Sequence, residues 1–202
     1  QLKMETMIKR GATSKLPTEY GDFFTTPYIQ LSNGLEHLVL LKGKWEECDS
    51  VLVRIHSSCM TGDIFGSYRC DCGAQLHESM RMIEKEGAGI IIYLNQEGRG
   101  IGIFNKIHAY QLQDEGLDTV EANLALGFDA DERDYLIGCK ILDDLNIKKI
   151  RLITNNPDKV TSLKNAGFQL VDIVPMEILP NQHSRFYLKT KKNKMGHMLK
   201  SV

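Results

Sequence analysis

The chain lacks the features that would take it outside ordinary globular proteins. Of 202 residues only 5 are proline and 1 is tryptophan, and the 17 glycines follow no repeat, which excludes collagen-like and low-complexity chains. A surplus of charge is also missing: 25 Lys and Arg against 26 Asp and Glu leave a formal net charge of -1. Bulk charge therefore draws in neither nucleic acid nor an anionic membrane, and an anionic ligand has to be met by a local cluster. With 42% hydrophobic residues the composition is too apolar for a disordered chain. Long apolar runs are absent, the longest being Ile90-Ile-Ile-Tyr-Leu94, far short of the roughly 20 residues that cross a bilayer. Gln1 to Lys15 mixes charged and polar residues without a signal-peptide core, so the expected location is the cytoplasm, where thiols stay reduced. The 5 cysteines are odd in number, which argues against a disulfide framework and leaves metal binding or burial to explain them.

Apolar runs at His37 to Leu41, Val51 to Ile55, Gly89 to Leu94, Ile150 to Thr154 and Gln169 to Val174 predict strands. Helical spacing between them predicts helices over Gln75 to Glu86, after Gly102, and along Leu136, Cys139 and Leu142. A further helix is expected from Pro157, capped by Asn156 and ended by Gly167. This alternation predicts an α/β (α+β) fold, a single compact domain over residues 1–202 with a mixed sheet flanked by helices. The basic stretch Lys189 to Lys194 is expected at the periphery.

Cys59, Cys70 and Cys72 stand out by spacing. A Cys-x-Cys pair lets two thiolates from one turn reach the same ion, and Gly73 permits the tight backbone. Spacing leaves three readings open: a zinc site with a free fourth position for water, a closed site completed by His56 or His77, and three unrelated buried cysteines. Glycine-rich Asn95-Gln-Glu-Gly-Arg-Gly-Ile-Gly102, between a strand and a helix, offers backbone N–H groups and Arg99 to an anion. Thr154-Asn-Asn-Pro-Asp-Lys159 is a second phosphate candidate, although capping alone explains Asn156 and Pro157. Asp131-Glu-Arg-Asp134 gathers carboxylates around Arg133 before a helix, where dipole compensation is the plainer reading.

Together Cys59-x10-Cys70-Asp-Cys72-Gly, Gln96-Glu-Gly-Arg-Gly-Ile-Gly102, Asn105-Lys106, Thr119 with Glu121-Ala-Asn123, Asp131-Glu-Arg-Asp134, Thr154-Asn-Asn-Pro157 and Lys194-Met-Gly-His197 resemble GTP cyclohydrolase II, in family order, over Lys15 to Leu199. The resemblance implies a zinc- and magnesium-dependent homodimer, with no nucleic-acid or membrane partner. It would convert GTP and water into formate, pyrophosphate and a diaminopyrimidine ribosyl phosphate, the first committed step of riboflavin synthesis. It implies zinc on Cys59, Cys70 and Cys72, with metal-lowered water acidity supplying hydroxide for attack on C8 of guanine. It implies Arg133 as nucleophile on the α-phosphorus, Asp131 as its base, and Tyr110 beside the reacting ring. GTP would lie against Arg54, Ile55, His56, Ser57, Ser58, Gln75, Glu97, Gly98, Arg99, Thr119, Thr154 and Lys159. One position departs: family members usually carry Glu where this chain has Ser58, so an uncharged hydroxyl replaces a carboxylate beside Cys59; either another acid compensates or the chain is a specialised paralogue with altered rate or product, and the rival from outside enzymes is a non-catalytic, zinc-stabilised nucleotide-binding module.

Overall fold

The computed structural model describes residues 8–201; the first seven residues and Val202, included in the expected domain, lie outside the described residues. Eight strands form one mixed sheet: β1 (Ile8–Arg10), β2 (Ser14–Thr18), β3 (Gly21–Gln30), β4 (Glu36–Lys42), β5 (Val51–Ser57), β6 (Gly89–Leu94), β7 (Lys149–Ile153) and β8 (Gln169–Val174). Their order is β1-β3-β4-β6-β5-β7-β8, with β2 paired to β3. The first four strands and the β4–β6 pair are antiparallel, whereas β6-β5-β7-β8 run parallel. Parallel neighbours need crossovers, and the helices supply them. These are α1 (Cys72–Glu86), then α2 (Gly102–Asp114), α3 (Thr119–Ala125) and α4 (Leu136–Asp144), then α5 (Pro157–Asn165). The helix α6 (Arg185–Met195) closes the chain.

The parallel strands are buried on both faces, which is why they read as continuous apolar runs. Val51, Val53 and Ile55 of β5 join Ile90, Ile92 and Leu94 of β6 under Ile137, Ile141 and Leu142 of α4. The intervening Leu52 and Ile91 pack on the other face against Met80 and Ile83 of α1. The α/β class and the flanked mixed sheet are as the sequence predicts, as are the five strands and four helices named from it. No helix among the described residues is long and apolar enough to cross a membrane.

Two regions differ from the sequence reading. Strands β1 to β3 were not foreseen, because residues 8–30 carry few apolar side chains and two prolines; Pro17 sits on β2, which pairs on one side only and tolerates a missing N–H. The basic stretch expected at the periphery is the second half of α6, and there Lys191 is part-buried and paired with the buried Asp71. Its charge read as solvent-facing, whereas the helix turns that lysine inward.

Candidate functional site

In a doubly wound sheet a crevice opens outside the carboxyl ends of the strands, at the point where strand order reverses. Here the reversal falls at β5, which leads to β6 on one side and borders β7 on the other. Ser57 and Ser58 at the end of β5, Gln96 and Glu97 after β6, and Thr154 and Asn155 after β7 all line one cleft.

One end of that cleft is sulfur. Cys59 follows β5, a single helical turn Met60–Ile64 brings the chain back, and Cys70 and Cys72 stand at the start of α1. The three sulfurs lie within 4.8 Å of one another, with Cys59 and Cys70 3.7 Å apart. Metal–sulfur bonds of about 2.3 Å at tetrahedral angles put two sulfurs about 3.8 Å apart, the spacing Cys59 and Cys70 already have, so the three cysteines could hold a zinc-like ion. Two glycines allow this convergence: a Cβ on Gly62 would meet Cys70 Sγ at 2.9 Å, and one on Gly73 would meet the Gly62 carbonyl at 2.2 Å. Neither histidine weighed as a fourth ligand belongs to the group. His56 Nε2 is bonded to the Asp63 carboxylate at 3.1 Å, and His77 stacks on Tyr20 at 4.4 Å between ring centroids.

Polar neighbours hold this end. Asp63 accepts hydrogen bonds from the Cys59 amide at 2.9 Å and the Tyr93 hydroxyl at 2.8 Å, which fixes the returning turn. Lys106 Nζ lies 3.1 Å from Cys59 Sγ and 2.7 Å from a Glu97 oxygen, and the other Glu97 oxygen accepts from the Met60 amide at 2.5 Å. Hydrogen bonds from the Cys70 and Cys72 thiols, outweighing burial and joined by Lys106, hold the Cys59 thiol far below its ordinary pKa. Tyr110 hydroxyl is 3.2 Å from the Thr61 hydroxyl, with the Arg69 guanidinium 4.5 Å from the ring centre, and burial raises its pKa. Ser58 keeps its hydroxyl on the Gln96 amide at 3.1 Å, and the carboxylates of Asp63, on the Cys59 amide, and Glu97, on the Met60 amide, flank Cys59.

The other end is basic. Arg54 donates to the Ile153 carbonyl at 3.1 Å and to Gln75 Oε1 at 2.6 Å, while its Nε is buried without an acceptor. Lys159 is 6% exposed and donates to the Ile55 carbonyl at 2.7 Å. Burial, then Arg54, Arg133 and Lys191, push the Lys159 pKa well below its ordinary value. Arg133 makes a two-pronged contact with Asp131, one arm at 2.8 Å; burial opposes its charge, but that contact outweighs burial and raises its pKa. Arg99 reaches the Ala130 carbonyl at 3.3 Å and leaves NH2 buried without a partner. Its backbone is left-handed (φ 62°) between Gly98 and Gly100, a strained run of the kind that collects at functional sites.

Of the residues singled out from sequence, Arg54, His56, Ser57, Ser58, Gln75, Glu97, Gly98, Arg99, Tyr110, Thr119, Arg133, Thr154, Lys159 and the three cysteines line this one cleft. Ile55 does not: its side chain is fully buried in the core, and only its carbonyl serves, by holding Lys159. Asp131 reaches the cleft through Arg133. Thr154 spends its hydroxyl on the Asn156 amide at 3.0 Å, and Asn156 caps α5 as expected. Sequence reasoning assigned no role to Lys106, Tyr187, Lys191 or His197, which also line the cleft. The signal for Lys191 was its place on a helical stripe with Leu188 and Met195.

Residues 9–175 match the family described as GTP cyclohydrolase II. The chain belongs to that family. It is 55% identical over 202 residues to the riboflavin biosynthesis protein RibBA of Parabacteroides distasonis, covering 100% of this chain and 50% of that protein. RibBA of Porphyromonas gingivalis is 56% identical with the same coverage, and RibBA of Bacillus cereus is 50% identical over 195 residues, covering 96% of this chain and 49% of that one. The chain thus spans about half the length of the curated relatives it matches. The GTP cyclohydrolase II match stops at residue 175, before α6, although Tyr187, Lys191 and His197 line the cleft.

Proposed function

We propose that the chain acts on GTP as a GTP cyclohydrolase II, opening the guanine imidazole ring. It would release formate and pyrophosphate and leave 2,5-diamino-6-hydroxy-4-(5-phosphoribosylamino)pyrimidine, an entry step of riboflavin synthesis. One observation carries this reading: a single cleft joins a three-cysteine donor set to two buried cationic groups, Arg54 and Lys159, that have no carboxylate partner among the described residues, and GTP is a ligand with a purine at one end and three phosphates at the other. A zinc ion on Cys59, Cys70 and Cys72 would act as a Lewis acid and bring the acidity of bound water towards neutrality.

The chain's own groups do the rest. Lys106 and Glu97, ion-paired beside Cys59, set the charge where the ring reacts. Tyr110, kept protonated by burial, is able to donate a hydrogen bond to a ring or formamide oxygen. Arg54, Arg99 and Lys159 bind phosphate oxygens, and their present bonds to carbonyls and an amide leave their charge uncancelled. Magnesium would arrive on the triphosphate, needing few protein ligands of its own. For Arg133 the two-pronged Asp131 contact favours a second reading, a charged clamp on phosphate, over the nucleophile that family resemblance suggests. Attack by Arg133 on phosphorus requires Asp131 first to take up a guanidinium proton. Acid-quenched intact-mass measurement separates the two, because only the nucleophile leaves a guanylyl adduct on the protein.

The deciding assay incubates the zinc-loaded protein with GTP and magnesium and measures formate, pyrophosphate and the pyrimidine. All three are expected; their joint absence would overturn the proposal. Replacing Ser58 by Glu tests the departure at that position. If Glu97 already serves as the neighbouring acid, turnover and product ratio stay within about threefold, since outer-sphere changes that matter cost 10-fold or more.

A further inference from the structure

We propose that Lys191, on the helix beyond the matched family region, is a positioning residue that ties the metal-binding turn to the phosphate-facing arginine. Asp71 stands between Cys70 and Cys72 and is 6% exposed. One of its oxygens accepts from Lys191 Nζ at 3.0 Å and the other from Gln75 Nε2 at 2.5 Å. Gln75 Oε1 in turn accepts from Arg54 at 2.6 Å, and Arg54 donates to the Ile153 carbonyl at 3.1 Å. The line Lys191–Asp71–Gln75–Arg54–Ile153 therefore runs unbroken from α6 across the Cys70–Cys72 turn and α1 to the middle of β5 and the end of β7.

Lys191 holds rather than binds. Its ammonium is paired with the buried Asp71 carboxylate, whereas Arg54 and Lys159 are bonded only to carbonyls and an amide and keep their charge for a ligand. Without Lys191 the Asp71 carboxylate would be left in the interior with amide donors alone, a costly state that it relieves by turning away from Gln75. Gln75 then no longer fixes the fork of Arg54, and the turn carrying Cys70 and Cys72 loses its brace. The helix itself stays docked by other contacts: Leu188 is 2% exposed, Lys194 pairs with Asp118 and Glu121, and the Met198 amide donates to the Asn155 carbonyl at 3.0 Å.

The test compares Lys191→Met, Asp71→Asn and the double variant with the wild type, all as zinc-loaded 202-residue chains. The readouts are the rate of zinc transfer to a chromogenic chelator, and kcat and KM for GTP. Each single change is expected to speed zinc loss and lower kcat by about 10-fold, the usual scale for groups that orient metal ligands. The double variant, in which neither charge remains, is expected to return within about threefold of wild type on both. A double variant no better than Lys191→Met would overturn the proposal, because a lysine that touched substrate itself is not rescued at Asp71. A lower melting temperature with unchanged zinc loss and kcat would overturn it as well. If Lys191→Met does not fold, Lys191→Arg and Lys191→Gln replace it, with wild-type zinc retention expected of the first and fast loss of the second. Turnover rests on the function proposed above, but zinc transfer does not, so a wild type inert towards GTP would sink that function and leave this test standing.

Discussion

At the sulfur end of the cleft the nearby cations have carboxylates of their own: Lys106 has Glu97 and Arg69 has Asp114, while His56, whose pKa burial lowers, is hydrogen-bonded to Asp63. At the basic end Arg54 and Lys159 are bonded to backbone carbonyls and a side-chain amide instead. The first end gathers three sulfur donors that a metal cation would complete, and the second keeps buried cationic groups that an anion would complete. Burying an uncompensated charge costs stability that only a ligand of opposite sign returns. The difference teaches that the two ends are unfinished in opposite senses, as fits a site that takes a metal and a polyphosphate together.

The sharpest way to break the pairing is at the sulfurs. Cys70→Ser replaces a soft thiolate with a hydroxyl that zinc holds poorly, so formate release should fall by about 1,000-fold or more. Pyrophosphate release, which depends on the other end, should fall far less. Formate and pyrophosphate assays on the same sample check this, and equal losses would show that the ends do not divide the chemistry.

Lys159→Met works on the opposite end and should move stability and binding in opposite directions. Removing a buried ammonium that has no counter-ion should stabilise the ligand-free protein by about 1–3 kcal/mol. The same change should raise KM for GTP by about 10- to 100-fold, through loss of a charge-assisted contact to phosphate. Urea unfolding and steady-state kinetics read the two effects, and a destabilised variant with unchanged KM would show that Lys159 is simply a core residue.

What was legible in the sequence follows the same division. The parallel strands were readable because burial on both faces demands unbroken apolar runs such as Ile90 to Leu94, and the Cys-x-Cys turn was readable because metal ligation constrains spacing. Arg54, Arg99 and Lys159 could be named through the family motifs, but their lack of a carboxylate partner among the described residues could not, since it depends on what Gln75, Ile55, Ala130 and Ile153 do in space. The N-terminal meander escaped notice because its strands pack through scattered Phe23, Thr26 and Tyr28 rather than a run. Helix α6 was misjudged for a related reason: its inward lysine carries the same letter as its solvent-facing ones, and Asp71, its partner, lies far away in sequence.

Lys106 tests whether the pairing at the sulfur end matters for rate. Lys106→Met leaves Glu97 without its cation beside Cys59 and should lower kcat by about 10-fold with KM changed less than threefold, because the residue sits away from the phosphate-facing cations. A change confined to KM would place Lys106 with the phosphate ligands instead and erase the contrast between the ends.

The smallest effect tests the positive field itself. Burial first, and then Lys191, Arg133 and Lys159, lower the pKa of His197 from 6.5 to about 3, while Asp71 opposes them. Between those values the unfolded chain binds a proton that the folded chain refuses, so this histidine makes stability fall as pH drops from about 6.5 towards 3. One proton sets a ceiling of about 1.4 kcal/mol per pH unit, and partial exposure keeps the slope below it. His197→Asn should therefore flatten, without abolishing, the loss of stability between pH 6.5 and 5 in urea titrations, because His37, lowered by burial, acts with the same sign. Pyrophosphate should act on the wild type in the same direction. By neutralising the cations that repel the His197 proton it raises that pKa, so the margin by which the wild type binds it better than His197→Asn should widen as pH falls from 7 to 5. A margin that stays the same across that range would mean that the field around His197 is not the one that holds the anion.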